Sequence, residues 1–235
     1  MSVFTVRRYL MKFALGLGLV ACAAMTVGFG TPARAGGDGK AVVGRPASAL
    51  IFPLVDSRTG KGTLISVTNT NTDRTTCPSS DFRSGDVCLQ YTYFATEERR
   101  GHCREFDLSE CLTPGDTLTV IADQHNPNME IGWLWVEARD PESFEAIDFD
   151  FLIGSAIIVD TGLDFMARYI PYGFRAGCTF HADRCGRGLT DCNSNGAADF
   201  GREYDAWPAT LFVDSFFQEG GTNPDFTDII ALASC

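Results

Sequence analysis

Oxygen-bearing side chains recur at alternate positions over Asp191, Asn193 and Asn195, glycine follows at 196, and Asp199 comes three residues later. Alternation of this kind sets several oxygens around a tightly curling chain, and Gly196 permits the sharp turn that brings a further one round, the geometry a hard, oxygen-ligated cation needs. The same segment, 177–206, carries Cys178, His181, Cys185 and Cys192, whose types and spacing suit either zinc or, in an exported chain, disulfides. A second polar group, Asp123, His125 and Glu130, lies in a loop before an apolar stretch, where catalytic or metal-binding residues often sit and where plain polar loops sit as well. Trp133 and Trp135 share one face of that stretch, as a platform for a sugar ring if exposed or as core if covered. The chain carries no P-loop, dinucleotide fingerprint, H-E-x-x-H, G-x-S-x-G elbow or C-x-x-C-H site.

Residues 191–202 resemble the calcium loops of thrombospondin type 3 and dockerin-type repeats, which share the EF-hand order of ligands. In that order Asp191, Asn193 and Asn195 take positions one, three and five, Gly196 position six and Asp199 position nine. The resemblance implies Ca²⁺ bound by these side chains and by the backbone carbonyl of Ala197 at position seven. At position twelve, where the repeats supply a carboxylate, this chain has Arg202, so Glu203 is the expected substitute. The resemblance covers about a dozen residues and implies nothing for the rest of the chain. Without an ion, the same composition makes an Asn/Gly-rich turn.

The elements that would hold these groups belong to an exported chain. Arg7, Arg8 and Lys12, an apolar run from Phe13 to Gly30 and Ala33-Arg34-Ala35 make residues 1–35 an export signal. Leu19-Val20-Ala21-Cys22 also matches a lipoprotein box, which would anchor the chain by a lipid at Cys22. Past the signal eight cysteines remain, in two clusters, and pairing within each cluster is expected, with Cys77–Cys88 and Cys103–Cys111 in the first. The signal holds four of the 19 basic residues and none of the 30 acidic ones, so the mature chain stands at −15. Nucleic acid is an improbable partner for such a surface.

The mature chain predicts a flexible lead over 36–47 and then a single domain, 48–235, in which no helical period persists for three turns. Ala49–Val55 and Thr63–Asn69 read as a β-hairpin about the Gly60-Lys61-Gly62 turn, and Asn69–Asp86 as a long loop stapled by Cys77. Val87–Phe94 alternates Val87, Leu89, Tyr91 and Tyr93 against Cys88, Gln90 and Thr92, a half-buried strand. Met129–Glu137 reads as a central strand, Phe144–Asp160 as a strand bent at Gly154, and Phe165–Phe174 as one strand or a short helix. Ala209–Phe217 and Phe226–Leu232 supply the last two strands. The fold expected is all-β, an antiparallel sandwich of immunoglobulin-like or jelly-roll-like type with a disulfide-rich loop. The function expected is that of a structural or binding module of a bacterial envelope or extracellular matrix, without enzymatic activity and with a calcium site, whose partner is an envelope or extracellular protein or a glycan. A secreted hydrolase acting on glycans or peptides is the alternative. No transmembrane segment is expected in the mature chain, which would be periplasmic, cell-surface or extracellular.

Overall fold

The computed structural model describes residues 40–78, 80–96, 103–127, 130–162, 165–177, 183, 185–191 and 198–207, with the backbone alone at 96, 103 and 165. Ten strands run through them: β1 (Val42–Val43), β2 (Ala49–Asp56), β3 (Lys61–Asn69), β4 (Val87–Thr96), β5 (Cys103–Leu112), β6 (Thr117–Ile121), β7 (Ile131–Arg139), β8 (Leu152–Asp160), β9 (Phe165–Tyr169) and β10 (Tyr172–Phe174), with one short helix, α1 (Ala122–His125), between β6 and β7. They form a six-stranded antiparallel sheet in the order β1-β10-β2-β7-β4-β5 and a four-stranded one in the order β6-β3-β8-β9. The molecule is an all-β sandwich of two antiparallel sheets, as the alternation in the sequence predicts.

Period-two alternation builds the core between the sheets. Leu89, Tyr91 and Tyr93 of β4, Leu134 and Val136 of β7, and Leu50 and Phe52 of β2 face Ile65 and Val67 of β3 and Ala156 of β8, all of them buried. The opposite face of the six-stranded sheet is also apolar at Ala49, Ile51, Trp135 and Phe174, and Tyr204 of the C-terminal segment covers it. That second layer explains why β7 is apolar on both faces: it is an interior strand with packed material on each side.

Several elements depart from the sequence expectations. The stretches expected as one hairpin, β2 and β3, lie in different sheets: β2 pairs with β10 and β7, whereas β3 pairs with β6 and β8. Each buries one face in the shared core, and that burial is satisfied as well by an arch between sheets as by a hairpin within one. Pro53, which has no N–H to give, sits where the β2–β7 register slips between Phe52 and Val55. Gly154 does not bend β8. It pairs with Val67, and a Cβ there would stand 2.8 Å from the Phe52 ring and 3.1 Å from the Ser66 carbonyl, so glycine lets the two sheets approach. The stretch expected as one strand or helix from Phe165 divides at Ile170–Pro171 into β9 and β10, one in each sheet.

The lead expected to be flexible over 36–47 is ordered from Lys40: Val42 and Val43 pair with Gly173 and Tyr172, Ala41 N–H donates to the Ala206 carbonyl at 3.0 Å, and Ala47 is fully buried. The expected cysteine pairing is likewise corrected. Cys88 bonds Cys111, its directly opposite neighbour across β4 and β5, with Cα atoms 3.9 Å apart. Cys77 bonds Cys185, 108 residues on, so a bridge crosses between the two clusters. Strand pairing decides the first, because it sets Cys88 opposite Cys111; the second joins two loop residues, Cys77 before β4 and Cys185 of the covering segment. The strands expected at 209–217 and 226–232 lie outside the described residues. Among those described, no helix is long and apolar enough to cross a membrane.

Candidate functional site

Segment 183–207, with its described residues, crosses the outer face of the six-stranded sheet and is pinned there at three points. Cys185 is tied to Cys77. Arg187, with its side chain 9% exposed, donates Nη2 to Asp140 Oδ1 at 2.8 Å, Nε to Asp183 Oδ2 at 2.6 Å and Nη1 to the Asp86 carbonyl at 2.5 Å. Farther along, Asp205 receives Arg45 Nη2 at 2.5 Å and the backbone N–H of Arg175 at 3.1 Å, and Ala176 bridges to Tyr204. Between these points Trp135 of β7 is closed over by Tyr204 and Phe200, whose rings meet it edge-on at centroid distances of 5.6 and 5.5 Å. Trp133 stacks on Phe94 at 4.0 Å. The tryptophan pair is therefore packed rather than offered as an open platform.

A cleft of about 590 Å³ remains between the sheet and this covering segment. Its floor is strand side chain: Gln90, Thr92 and Phe94 from β4, Glu105 and Asp107 from β5, and Trp135, Glu137 and Arg139 from β7. These positions share one face because each set is spaced by two residues and the strands are direct neighbours, with Gln90 opposite Glu137 and Thr92 opposite Asp107. Glu145, Thr190, Asp191, Glu203 and Tyr204 supply the other wall. Among the described lining residues six bear carboxyls and one, Arg139, bears a permanent positive charge.

The buried carboxyls at the base are committed to the architecture. Glu137, 4% exposed, accepts the Tyr204 hydroxyl on Oε1 at 2.5 Å and pairs through Oε2 with Arg139. Burial pushes its carboxyl above the usual glutamate range, and the Arg139 charge and the Tyr204 bond offset only part of that. Tyr204, in turn, is held well above the usual phenol range by burial and by the neighbouring Glu137 charge. Glu105, Asp107 and Glu145 stand exposed at the rim, and Asp107 Oδ1 accepts the Thr92 hydroxyl at 2.7 Å.

Of the calcium-loop residues expected from the sequence, Asp191, Asp199 and Glu203 are described, and Asn193, Asn195 and Ala197 lie outside the described residues. Asp191 and Glu203 both line the cleft. Glu203 is 1% exposed and its Oε2 accepts the backbone N–H of Asp199 at 3.1 Å, while the Asp199 carbonyl receives Glu203 N–H at 2.9 Å and Tyr204 N–H at 3.1 Å. Gly201, at φ 83°, gives the left-handed turn that folds 199–204 back on itself. Asp199 and Glu203 are thus brought into one tight turn. Zinc at Cys185 is excluded by its disulfide; Cys178, His181 and Cys192 lie outside the described residues.

The polar group expected at Asp123, His125 and Glu130 does not assemble. Glu130 borders a shallow, separate hollow with Arg58 and Lys61, and Asp123 is exposed on α1. His125 turns inward instead, with Tyr93 Oη 2.7 Å from its Nδ1. Glu137, Arg139 and Tyr204 escaped sequence reasoning, although the alternation of Trp133, Trp135, Glu137 and Arg139 on one face of β7 was a usable signal. It was masked by the apolar residues that make the other face.

No protein-family model matches the chain, and no curated protein matches it. Among solved structures the chain is similar to that of Thermotoga maritima 1070, at 14% identity over 54% of this chain and 94% of that one, with a TM-score of 0.36.

Proposed function

We propose that this chain is an exported binding module, and that the cleft over the outer face of the six-stranded sheet takes a basic segment of an envelope or extracellular protein. The observation that carries it is the cleft's charge: six carboxyl-bearing residues against Arg139 among the described lining residues, with that guanidinium already paired to Glu137. A cavity of about 590 Å³ is of the size that seats a few side chains. The rim carboxylates attract lysine or arginine, and Phe94 offers an aromatic surface to the same cation. Four further features favour export: a leader with an A-x-A site, an even set of mature cysteines, and the bridges Cys77–Cys185 and Cys88–Cys111.

Both oxygens of Glu137, a buried carboxyl of the cleft that holds its proton tightly, are engaged by Tyr204 and Arg139, which favours a structural over a hydrolytic role for that residue. Calcium held by Asp191, Asn193, Asn195, Asp199, the Ala197 carbonyl and Glu203 would brace the wall of the cleft. All of its donors are oxygens, as that ion requires.

Titration of the mature protein with a lysine- and arginine-rich peptide, an acidic peptide of equal length and a neutral oligosaccharide tests the proposal. Binding is expected for the basic peptide alone, weaker at high salt and lost in the rim variant Glu105→Gln/Asp107→Asn. Equal binding of the oligosaccharide, or basic-peptide binding unchanged in that variant, overturns it.

A further inference from the structure

The six-stranded sheet ends on a long open edge. β5 is its last strand and pairs with β4 over all ten residues, Cys103–Leu112, in a register that never slips. Among the described residues no strand lies on its other side. The remaining sheet ends are shorter: β1 has two residues, and β6 and β9 have five each. An edge strand presents a row of backbone N–H and C=O groups that can template another strand, and proteins commonly blunt it with lysine, proline, a bulge or a short length. β5 has none of these. Its guard is charge, with three carboxylates, Glu105, Asp107 and Glu110, against the one guanidinium of Arg104. Its two faces also differ. Glu105 and Asp107 are exposed at the cleft, whereas Phe106 and Leu108 are half-buried against the core between the sheets.

We infer that the partner's basic segment adds to the open edge of β5 as an extended strand, with lysine or arginine at alternate positions beside Glu105 and Asp107 and apolar side chains between them beside Phe106 and Leu108. This rests on the cleft's taking a basic segment and adds how that segment is held. A strand laid along β5 continues both faces of the sheet, so its side chains alternate as those of β5 do. Main-chain hydrogen bonds to a sheet edge give affinity, and the alternate side chains give choice. Charge selects the occupant. The edge of a second copy would bring like charges together, whereas a basic strand meets the excess of carboxylate. The edge is also continuous with the cleft, because Glu105 and Asp107 belong to both. A strand on β5 therefore carries its basic side chains to the cleft's rim, and an apolar side chain beside Leu108 or Phe106 extends the core outward.

Calorimetric titration of the mature protein with an alternating Lys-Val octapeptide, with a block peptide of the same composition, and with two N-methylated forms of the alternating peptide tests the inference. In a strand, the N–H groups of alternate residues point to opposite sides, so one form is methylated at every lysine and the other at every valine. The alternating peptide should bind more tightly than the block peptide. One methylated form should lose about tenfold or more in affinity, as several backbone hydrogen bonds are removed, and the other should bind as the parent does. Amide exchange gives a second reading: alternate β5 amides should exchange fast in the free protein and slow when the peptide is bound. If the parent binds and methylation weakens both forms or neither, strand addition is overturned and the acidic cleft remains a site for basic segments. If no basic peptide binds, both are overturned. Protection of consecutive β5 amides in the free protein would mean that a second copy, or residues 208–235, already occupies the edge, and also overturns the inference.

Discussion

Arg187 Nη2 donates to Asp140 Oδ1 at 2.8 Å, joining residues 47 apart in sequence and fastening the covering segment to the turn after β7. The same guanidinium holds Asp183 and the Asp86 carbonyl, so one side chain links the β3–β4 loop, the β7–β8 turn and the cysteine-rich segment. Removing it strands buried carboxylates without a counter-charge. Arg187→Ala is expected to cost about 3–5 kcal/mol in urea unfolding, and Arg187→Lys less, because an ammonium keeps the charge but loses the fork. A loss under 1 kcal/mol in the alanine variant would show that the network is not a fastening.

The Cys77–Cys185 bridge spans 108 residues and closes most of the fold into a loop. By chain entropy a loop of this size restricts the unfolded state by roughly 4.7 kcal/mol, and measured losses for native bridges run about 2–5 kcal/mol. Cys77→Ser/Cys185→Ser should therefore lose stability within that range and lose affinity for basic peptide as well, since this bridge anchors the cleft's outer wall. Peptide mapping of the oxidised protein is expected to recover Cys77–Cys185 and Cys88–Cys111; a Cys77–Cys88 peptide would contradict the fold.

Glu137 and Asp56 should tilt the pH dependence of stability in opposite directions. Burial raises the Glu137 carboxyl above its ordinary 4.5, so the native state holds that proton more tightly than the unfolded chain; this contribution is full below pH 4.5 and is lost as pH rises through the raised native value. Burial pushes Asp56 up too, but the Arg58 hydrogen bonds and the Lys61 charge outweigh it and leave its carboxyl below 3.8. Its contribution is present above pH 3.8 and lost as pH falls through the lowered native value. Urea midpoints followed from pH 3 to 8 should show Glu137→Gln removing the decline on the alkaline side of 4.5 and Asp56→Asn reducing the decline on the acid side of 3.8.

Phe144 has φ 62°, a left-handed conformation unfavourable for a bulky residue, and it is 44% exposed. Neighbouring hydrogen bonds impose the turn: Phe144 N–H donates to the Asp140 carbonyl at 3.0 Å, and Arg139 Nη1 donates to the Phe144 carbonyl at 3.2 Å. Phe144→Gly should relieve about 1 kcal/mol of backbone strain. A raised melting temperature is the expected reading, and a fall of several degrees would mean that the ring does more packing than its exposure implies.

Calcium at millimolar concentration should raise the melting temperature slightly, because a loop without the twelfth-position carboxylate belongs to the weak class, with Kd of roughly 10⁻⁴ to 10⁻³ M. At one to ten times Kd, mass action gives about 0.4–1.4 kcal/mol. Asp191→Ala should abolish that increment and Arg202→Glu should enlarge it. Flat melting and calorimetric traces in both wild type and Arg202→Glu would leave 191–202 as a turn.

What the sequence determined by itself was the class of fold and the inward face of its strands. Alternation along Val87, Leu89, Tyr91 and Tyr93 has one solution that buries all four, and these residues are fully buried. The run Thr113-Pro114-Gly115-Asp116 has a turn composition of its own, and there Asp116 N–H donates to the Thr113 carbonyl at 3.1 Å. The tertiary structure alone decided which strand lies beside which. β2 and β3 carry patterns that suit a hairpin or an arch equally, and the choice rests on pairings with β7, β8 and β10, up to about 125 residues away. Cysteine pairing is likewise set by the fold rather than by spacing: Cys88 meets Cys111 across β4 and β5, and Cys77 meets Cys185, 108 residues on. The candidate site was hidden for the same reason. Glu137 meets Tyr204 across 67 residues, and His125 finds Glu110 and Tyr91 rather than Asp123 and Glu130. Side chains on one strand advertise their shared face in the sequence; a cleft assembled from several strands exists only once non-local hydrogen bonding has fixed their order.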